Sequence, residues 1–166
     1  MEGDRERFGA LYQRAYPAIL RYAHRRVPPD LAADVAAEVF VVAWRRIADV
    51  PEGDALPWLY GVARRVVANQ RRGADRAVGL LARVATLVGD GPPTIDPADA
   101  VAESMTVLAA FRRLSADDRE VLSLVVWEGL GARDAARVLG CSVPAVAARL
   151  SRARRRLQAN LDQEEG

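Results

Sequence analysis

The stretch LGARDAARVLGCSVPAVAARLSRARRRL, residues 130–157, decides the fold of the C-terminal half of the chain. Apolar residues at helical spacing predict a short helix, and Gly140 follows it where a turn needs left-handed backbone geometry. Ser142 can cap a second helix, in which Pro144 is tolerated because first-turn amides have no helical partner. The inner stripe of the first helix is Ala135, Ala136 and Leu139, and the buried row of the second is Val146, Leu150, Ala153 and Leu157. This pattern predicts a helix-turn-helix.

Three arginines of the second helix share a face that differs from its apolar row. Arg149, Arg152 and Arg156 follow one another at positions i, i+3 and i+7. Such a helix suits the major groove of DNA, where its N-terminal half meets base edges and its arginines bind phosphates. A solvated arginine face is the alternative, but here the arginines coincide with a short preceding helix, a glycine turn and a serine cap. We therefore predict DNA binding.

The composition is that of a folded protein and excludes several other classes. Of the 166 residues, 51% are apolar and 28% are charged, which is too apolar for a disordered chain. No apolar run approaches the roughly 20 residues that cross a bilayer. The charged N-terminus also lacks the apolar core of a signal peptide. We therefore expect a helix-rich protein of the cytoplasm.

Residues suited to catalysis or metal binding are scarce. Cys141 and His24 are the only cysteine and histidine, so the chain offers neither a disulfide pair nor a zinc-finger ligand set. His24 lies among arginines in RYAHRRV, which indicates a position on a helix surface. No glycine-rich phosphate-binding loop occurs in the sequence. These absences predict that the protein is not an enzyme and needs no metal or other cofactor.

Charge is distributed unevenly along the chain although the net charge is only +2. Residues 28–54 carry six carboxylates and two arginines, whereas residues 130–156 carry seven arginines and one carboxylate. The 24 basic residues other than histidine are all arginines, whose planar guanidinium matches phosphates and guanine edges. The basic segment is therefore the one that contains the predicted helix-turn-helix.

Helical periodicity also organises the first half of the chain. A first helix has apolar residues at three- and four-residue spacing and ends at Pro28. Asp30 can cap a second helix over residues 31–48, and a third helix is predicted over residues 57–72, ending at Gly73. On the second helix an apolar row faces inward and charged residues lie on the opposite, solvated side. The row is Val35, Val39 and Val42, and the charged residues are Asp34, Glu38 and Arg45.

The segment GDGPPTIDP interrupts this periodicity and indicates a linker between two domains. The sequence thus predicts an all-α protein made of two small helical domains joined by a flexible linker. The predicted boundaries are 1–75 for the first domain, 76–103 for the linker, 104–161 for the second domain and 162–166 for the tail.

Four segments together resemble the extracytoplasmic-function group of bacterial sigma-70 factors. In this order, FGALYQRAYPAILRYAHRRV, DLAADVAAEVFVVAWRRI and PWLYGVARRVVANQRRG are similar to the three parts of sigma region 2. LSADDREVLSLVVWEGLGARDAARVLGCSVPAVAARLSRARRRLQANL is similar to region 4, which holds the family's helix-turn-helix. The resemblance implies that residues 1–75 fold as the region 2 helical bundle and residues 104–161 as region 4. It also implies promoter-specific transcription initiation with RNA polymerase.

The resemblance further implies roles for individual residues of region 2. The residues that would bind core RNA polymerase are Asp34, Glu38, Phe40, Trp44 and Arg45. A solvated face for the two acids and a core position for Phe40 and Trp44 are the alternatives. The residues that would recognise and melt the −10 promoter element are Trp58, Tyr60, Arg64, Arg65, Asn69, Arg71 and Arg72. Melting needs platforms for unstacked bases and cations for the backbone, although Trp58 also suits the core.

Region 4 would bind the −35 promoter element. The matching residues are Ser142, Ala145, Arg149, Arg152, Arg154 and Arg155. The chain departs from the family pattern, which often has Asn at Arg65, Asp at Asn69, Thr at Ala145 and Lys at Ala147. The missing hydroxyl and ammonium groups at Ala145 and Ala147 put the −35 preference in question. The resemblance also implies an anti-sigma factor as a partner, and we expect no membrane insertion.

Two other functions are compatible with parts of the sequence. The first is a helix-turn-helix transcriptional regulator that does not bind core polymerase, and the second is a helical adaptor with arginines that only aid solubility. Polymerase binding at the surface from Asp34 to Trp44 distinguishes a sigma factor from a regulator. Salt dependence distinguishes the adaptor, because phosphate contacts make DNA affinity fall by orders of magnitude between low and moderate salt.

Overall fold

The structure, a computed structural model, describes residues 2–81 and 102–164, with side chains described over residues 2–73 and 106–163. These residues form seven α-helices and one short 3-10 helix, and no strand occurs among them. The chain divides into two compact units, Met1–Ile95 and Asp96–Gly166, here called the first and the second unit. The predicted all-α fold with two helical domains is confirmed.

The first unit consists of three long helices. They are α1, Glu2–His24; α2, Pro29–Arg45; and α3, Leu56–Leu81, with the 3-10 helix Ile47–Asp49 between α2 and α3. Helix α1 passes through Pro17 without a break. Helix α2 begins one residue after Pro28, because a proline in the first turn needs no amide partner. The predicted cap at Asp30 is wrong, since Pro28 is the capping residue and Asp30 lies inside the first turn.

Helix α3 continues beyond Gly73, where the sequence predicts its end. Gly73 has no positive φ, and a Cβ atom built on it would meet nothing within 4 Å, so this glycine is not required by a turn. A single glycine inside a helix costs about 1 kcal/mol relative to alanine, which is too little to stop a helix by itself. The helix thus extends into the segment predicted as a linker, and residues 82–101 of that segment lie outside the described residues.

The core of the first unit lies between its three helices. Ile19 and Tyr22 of α1, Val35 and Val39 of α2 and Leu59 of α3 are fully buried. The predicted apolar row of α2 is therefore confirmed at Val35 and Val39, whereas Val42 is half-buried. This packing leaves one long side of α2 and one side of α3 in contact with solvent.

The second unit consists of four helices. They are α4, Ala102–Arg112; α5, Ala116–Val126; α6, Ala132–Leu139; and α7, Val143–Glu164. Helix α7 packs against the other three helices of the unit. Ser115 caps α5, because its Oγ accepts the amide N–H of Asp118 at 3.2 Å. The buried core is formed by Phe111, Leu114, Val121, Leu122, Ala135, Ala136, Val146 and Ala153.

Two kinds of feature do not occur in the part of the chain that the structure describes. No helix there is both long and apolar enough to span a membrane. No group of three or more histidine, cysteine, aspartate or glutamate side chains is placed there to hold a metal ion.

Candidate nucleic-acid interface

The turn between α6 and α7 has the geometry that its sequence predicts. Gly140 has φ 65° and ψ 38°, the left-handed conformation that glycine adopts without a Cβ penalty. The amide of Cys141 donates to the carbonyl of Ala136 at 3.1 Å, which closes the C-terminus of α6. The Oγ of Ser142 accepts the amide of Ala145 at 3.3 Å, so the predicted cap of α7 is confirmed. These local bonds fix the angle between the two helices.

Helix α7 is oriented by its apolar row. Val146 and Ala153 are fully buried, and Leu150 and Leu157 pack against the same core. The predicted buried row of this helix is therefore confirmed at Val146 and Ala153, whereas Leu150 and Leu157 are half-buried. Cys141 is half-buried against that core, as expected of a small residue in the turn.

The predicted DNA-binding residues of α7 have different degrees of exposure. Arg152, Arg154 and Arg155 are exposed, as is Ser142, and Arg149 is half-buried. Ala145 is half-buried and its amide is bonded to the capping hydroxyl, so it offers only a methyl group. Of the predicted DNA-binding residues, this helix and its cap therefore expose three arginines and one serine.

Arg156 has a different position from the one that helical spacing suggests. Its Nη1 lies 2.5 Å from Oδ2 of Asp118, a carboxylate at the start of α5 whose side chain is only 8% exposed. Burial raises the pKa of Asp118, but its hydrogen bonds with Arg156 and Ser115 and the charges of Arg156 and Arg152 outweigh burial, so this pKa lies below its ordinary value. Arg156 is thus part of an ion pair within the unit, and the prediction that it acts with Arg149 and Arg152 is corrected.

Helix α3 presents most of its predicted DNA-binding residues to solvent. The four exposed residues are Arg65, Asn69, Arg71 and Arg72. Trp58 and Arg64 are half-buried. Tyr60 is only 3% exposed, with its ring centroid 5.3 Å from that of Tyr22. Tyr60, which the sequence predicts to stack on bases, therefore lies in the core. Its spacing from buried Ala63 and Val67, at i+3 and i+7, was a sequence signal of this position.

Trp58 is partly covered by a cation. The guanidinium of Arg46 lies 5.7 Å from the centroid of the indole ring, within the range of a cation–π contact. Arg46 also binds Asp49 in an ion pair of 2.8 Å. Because Trp58 is half-buried, it is neither a wholly internal core residue nor a fully exposed aromatic platform.

Two arginines of α3 have intramolecular acceptors. Arg71 donates from Nη2 to the carbonyl of Arg26 at 2.9 Å, so it connects α3 to the chain just after α1. Arg72 donates to Oδ1 of Asn69, one turn earlier in the same helix. Both acceptors are neutral, so both guanidinium groups keep their full positive charge at the surface.

The solvated side of α2 forms a regular stripe, here called the α2 stripe. Asp34, Glu38, Val41 and Arg45 occur at i, i+4, i+7 and i+11, and all four are exposed. Val41 is 47% exposed and is not among the residues that the sequence predicts for this surface, although its spacing from Glu38 places it there. The exposed positions predicted for Asp34, Glu38 and Arg45 are confirmed.

Aromatic side chains border the α2 stripe on the side of α1. Phe40 is 3% exposed and lies 4.8 Å from Tyr12 between ring centroids, so it occupies the core position that the sequence left open as an alternative. Trp44 packs edge-on against Phe8 at 5.2 Å but keeps 42% of its surface exposed. Of the two aromatic residues predicted to contact the polymerase, only Trp44 is accessible.

Family models match both units of the chain. The model for sigma-70 region 2 matches residues 11–77, and the model for sigma-70 region 4 matches residues 104–157. Each match covers the helices on which the candidate interfaces lie. A helix-turn-helix regulator without polymerase binding is therefore disfavoured, because it would match only the second of these regions.

Individual relatives extend the similarity to nearly the whole chain. The RNA polymerase sigma factor NccH of Alcaligenes xylosoxydans is 30% identical over 96% of this chain and 89% of its own length. The ECF RNA polymerase sigma factor SigL of Mycobacterium tuberculosis is 30% identical over 93% and 88%. The solved structure of the sigma factor RpoE with the anti-sigma factor NepR from Bartonella quintana matches with TM-score 0.74 and 25% identity, over 93% of this chain and 96% of that one. The chain therefore belongs to the extracytoplasmic-function group of sigma-70 factors, which bind core RNA polymerase and direct transcription initiation at particular promoters.

Proposed function

We propose that this sigma factor binds polymerase and promoter DNA through three surfaces: the α2 stripe, the exposed side of α3 and the arginine-bearing side of α7. The α2 stripe, together with Trp44, binds core polymerase. Helix α3 binds and opens the −10 element, and α7 binds the −35 element. The observation that carries this proposal is that one chain exposes an acidic stripe on α2 and arginines on both α3 and α7.

The α2 stripe has the chemistry of a helix-docking surface. Its spacing of four, three and four residues keeps the side chains on one line along the helix, as in contacts between coiled helices. Asp34 and Glu38 provide negative charge that complements basic residues of a partner and steers its approach. Val41 and Trp44 provide exposed apolar surface beside those charges, which is where binding energy concentrates in interfaces. The partner surface on the polymerase should therefore be a basic helix with an apolar centre.

Helix α3 supports DNA opening by binding rather than by covalent chemistry. Opening exposes unpaired bases, which costs a few kcal/mol per unstacked base. Arg65, Arg71 and Arg72 can offset this cost by binding the backbone of the separated strand, and the accessible part of Trp58 can receive a base. Affinity for the open form shifts the equilibrium toward it. Arg64 and Asn69 complete this surface.

Helix α7 supports recognition of duplex DNA. Arg152, Arg154 and Arg155 reach into solvent and can bind phosphates or guanine edges, and Arg149 lies at the border of the same surface. Ser142 lies at the N-terminus of the helix, where base edges are met in helix-turn-helix complexes. Since Ala145 offers only a methyl group, its contribution would be an apolar contact, such as one with a thymine methyl.

An anti-sigma factor and a cytoplasmic location follow from the same function. The solved sigma factor RpoE occurs in complex with the anti-sigma factor NepR, and CnrH, which matches with TM-score 0.66 and 28% identity, occurs in complex with the cytosolic domain of CnrY. We infer that an anti-sigma factor also controls this chain, in the compartment that holds polymerase and DNA. A tagged chain that is recovered from cells only with polymerase subunits would contradict this inference.

Run-off transcription tests the proposed function. Bacterial core polymerase is combined with genomic promoter fragments, with and without this protein, and transcripts that depend on the protein are expected. The double variant Asp34→Arg, Glu38→Arg should abolish those transcripts and the copurification with core polymerase while leaving the helical content unchanged. Asp162→Arg, which makes the same kind of charge change on α7 in the other unit, is the matched control and should remain active. Promoter binding without polymerase association would refute the role of α2.

A further inference from the structure

The end of α1 and the middle of α3 are joined by a buried contact that the family assignment does not explain. Tyr22 and Tyr60 lie against each other with ring centroids 5.3 Å apart. Arg26 follows α1 and is only 8% exposed, although it carries a charge. Arg71 of α3 reaches the backbone of Arg26. These four residues, here called the α1–α3 joint, connect the DNA-binding helix to the rest of the first unit.

Arg26 is held in one conformation by several contacts. Its guanidinium carbon lies 3.5 Å from the ring centroid of Tyr22, and its Nη1 donates to the carbonyl of Tyr22 at 3.1 Å. Its own amide donates to the carbonyl of Ala23 at 2.8 Å, which continues the helical turn after α1 ends. A planar guanidinium can stack flat on a ring while it donates in its own plane at its edge, a geometry that the tetrahedral ammonium of lysine does not reproduce. The carbonyl of Arg26 is therefore fixed in direction.

That fixed carbonyl is the acceptor for Arg71. The Nη2 of Arg71 lies 2.9 Å from it, and the side chain of Arg71 is otherwise exposed. A guanidinium has five N–H donors in a rigid fork, so one bond to a carbonyl restrains its position and leaves donors for a second ligand. The neighbouring Arg72 differs, because its acceptor is Asn69 on the same helix and does not involve α1.

We propose that Arg26 is a positioning residue that orients the Arg71 guanidinium toward a phosphate of the −10 DNA. The proposal rests on the proposed role of α3 in binding that element. Arg71 binds the phosphate, and Arg26 acts only through Arg71, by holding the carbonyl that fixes its guanidinium. A group that is already oriented loses less freedom on binding, so the contact is stronger than that of an unrestrained arginine.

A double-mutant cycle on the full chain in complex with core polymerase tests this relation. The probe is the promoter fragment that gives the strongest protein-dependent run-off, and its affinity is measured over a range of salt concentrations. Arg71→Gln should weaken binding about tenfold, the loss of one charge-assisted contact, and lower the slope of log affinity against log salt by about 0.7–0.9. Arg26→Lys should weaken binding several-fold, but less than Arg71→Gln does, because the charge of Arg71 remains, and it should weaken binding by less than about twofold in the Arg71→Gln background.

A control cycle combines Arg26→Lys with Arg72→Gln instead of Arg71→Gln. Arg26→Lys and Arg72→Gln should have additive effects, because the described acceptor of Arg72 is Asn69 on its own helix and not a group at the end of α1. Additive effects of Arg26→Lys and Arg71→Gln would overturn the proposal and make Arg26 a general structural residue. If Arg26→Lys lowers the helical content, Arg26→Gln takes its place in the same cycle with the same expected results. A wild-type holoenzyme without protein-dependent transcripts would refute the proposed function itself, and the positioning role with it.

Discussion

Asp118 and Arg156 form an ion pair, and replacing one or the other should lower the free energy of unfolding by different amounts. The carboxylate side chain is 8% exposed and the arginine side chain is 60% exposed. Arg156→Ala leaves a buried carboxylate without its main partner, which costs about 3 kcal/mol in the free energy of unfolding. Asp118→Asn leaves a guanidinium that already reaches water, so only a charge-assisted hydrogen bond is lost, about 1–2 kcal/mol.

The stability that Arg156→Ala loses should also depend on pH. In the wild-type protein the folded-state pKa of Asp118 lies below its ordinary value, so the stabilisation is present above the unfolded-state pKa and is lost as the pH falls through the folded-state pKa. In Arg156→Ala burial persists while the bond and charge of Arg156 are gone, so we expect the pKa to rise. The carboxyl then protonates on acidification, and the deficit of this variant shrinks as the pH falls.

Urea unfolding followed by the indole N–H resonance of Trp127 measures these effects in the second unit. The free energy of unfolding is compared at about pH 7 and at a series of lower pH values, over which the carboxyl of the variant gains its proton before that of the wild type. Arg155→Ala, an exposed change on the same helix, is the control and should stay within about 0.5 kcal/mol of wild type. Equal losses for Arg156→Ala and Asp118→Asn, or a deficit of Arg156→Ala that does not change with pH, would refute the reasoning.

Three further substitutions test other parts of the structure. Gly140→Ala should lower the free energy of unfolding by about 1 kcal/mol because φ is +65° there. Gly53→Ala, at a loop position without positive φ and with open space, should be nearly neutral in urea unfolding. Ala147→Lys adds a cation at an exposed position of α7, so the slope of log promoter affinity against log salt concentration should become steeper by about one. An unchanged slope would argue against a position of residue 147 that faces DNA. Val41→Asp should weaken the affinity for core polymerase about tenfold or more at unchanged melting temperature, as measured by fluorescence anisotropy, and wild-type affinity would exclude Val41 from the interface.

The helix-turn-helix could be predicted from the sequence because its determinants are local. Gly140 and Ser142 act on backbone groups within five residues, and the apolar row of α7 follows directly from helical spacing. The buried row of α2 could be predicted in the same way. The end of α3 could not, because Gly73 is only a weak signal and neighbouring residues decide whether a helix continues through a glycine.

The roles of individual side chains were harder to predict than the helices. The residue type of Tyr60 favours a contact with DNA, whereas its helical spacing places it with buried residues. Val41 lies in the apolar run VFVVA, residues 39–43, so its residue type groups it with the core, and only its spacing from Glu38 places it on the solvated side. The contact of Arg156 with Asp118 joins residues 38 positions apart, so no local pattern could reveal it.

The acceptor of each arginine, more than the number of arginines, decides which part of the basic surface can bind DNA. Arg71 and Arg72 donate to a carbonyl and to an amide oxygen, both neutral, so they are oriented while their charge stays available to a phosphate. Arg156 donates to a carboxylate, which compensates its charge inside the unit. An arginine bound to a neutral acceptor is prepared for an anionic ligand, whereas one paired with a buried carboxylate would have to break that pair first. The arginines of α3 and α7 that remain candidates for DNA contacts are therefore those without a carboxylate partner among the described contacts, and Arg156 belongs to the framework that holds α7 in place.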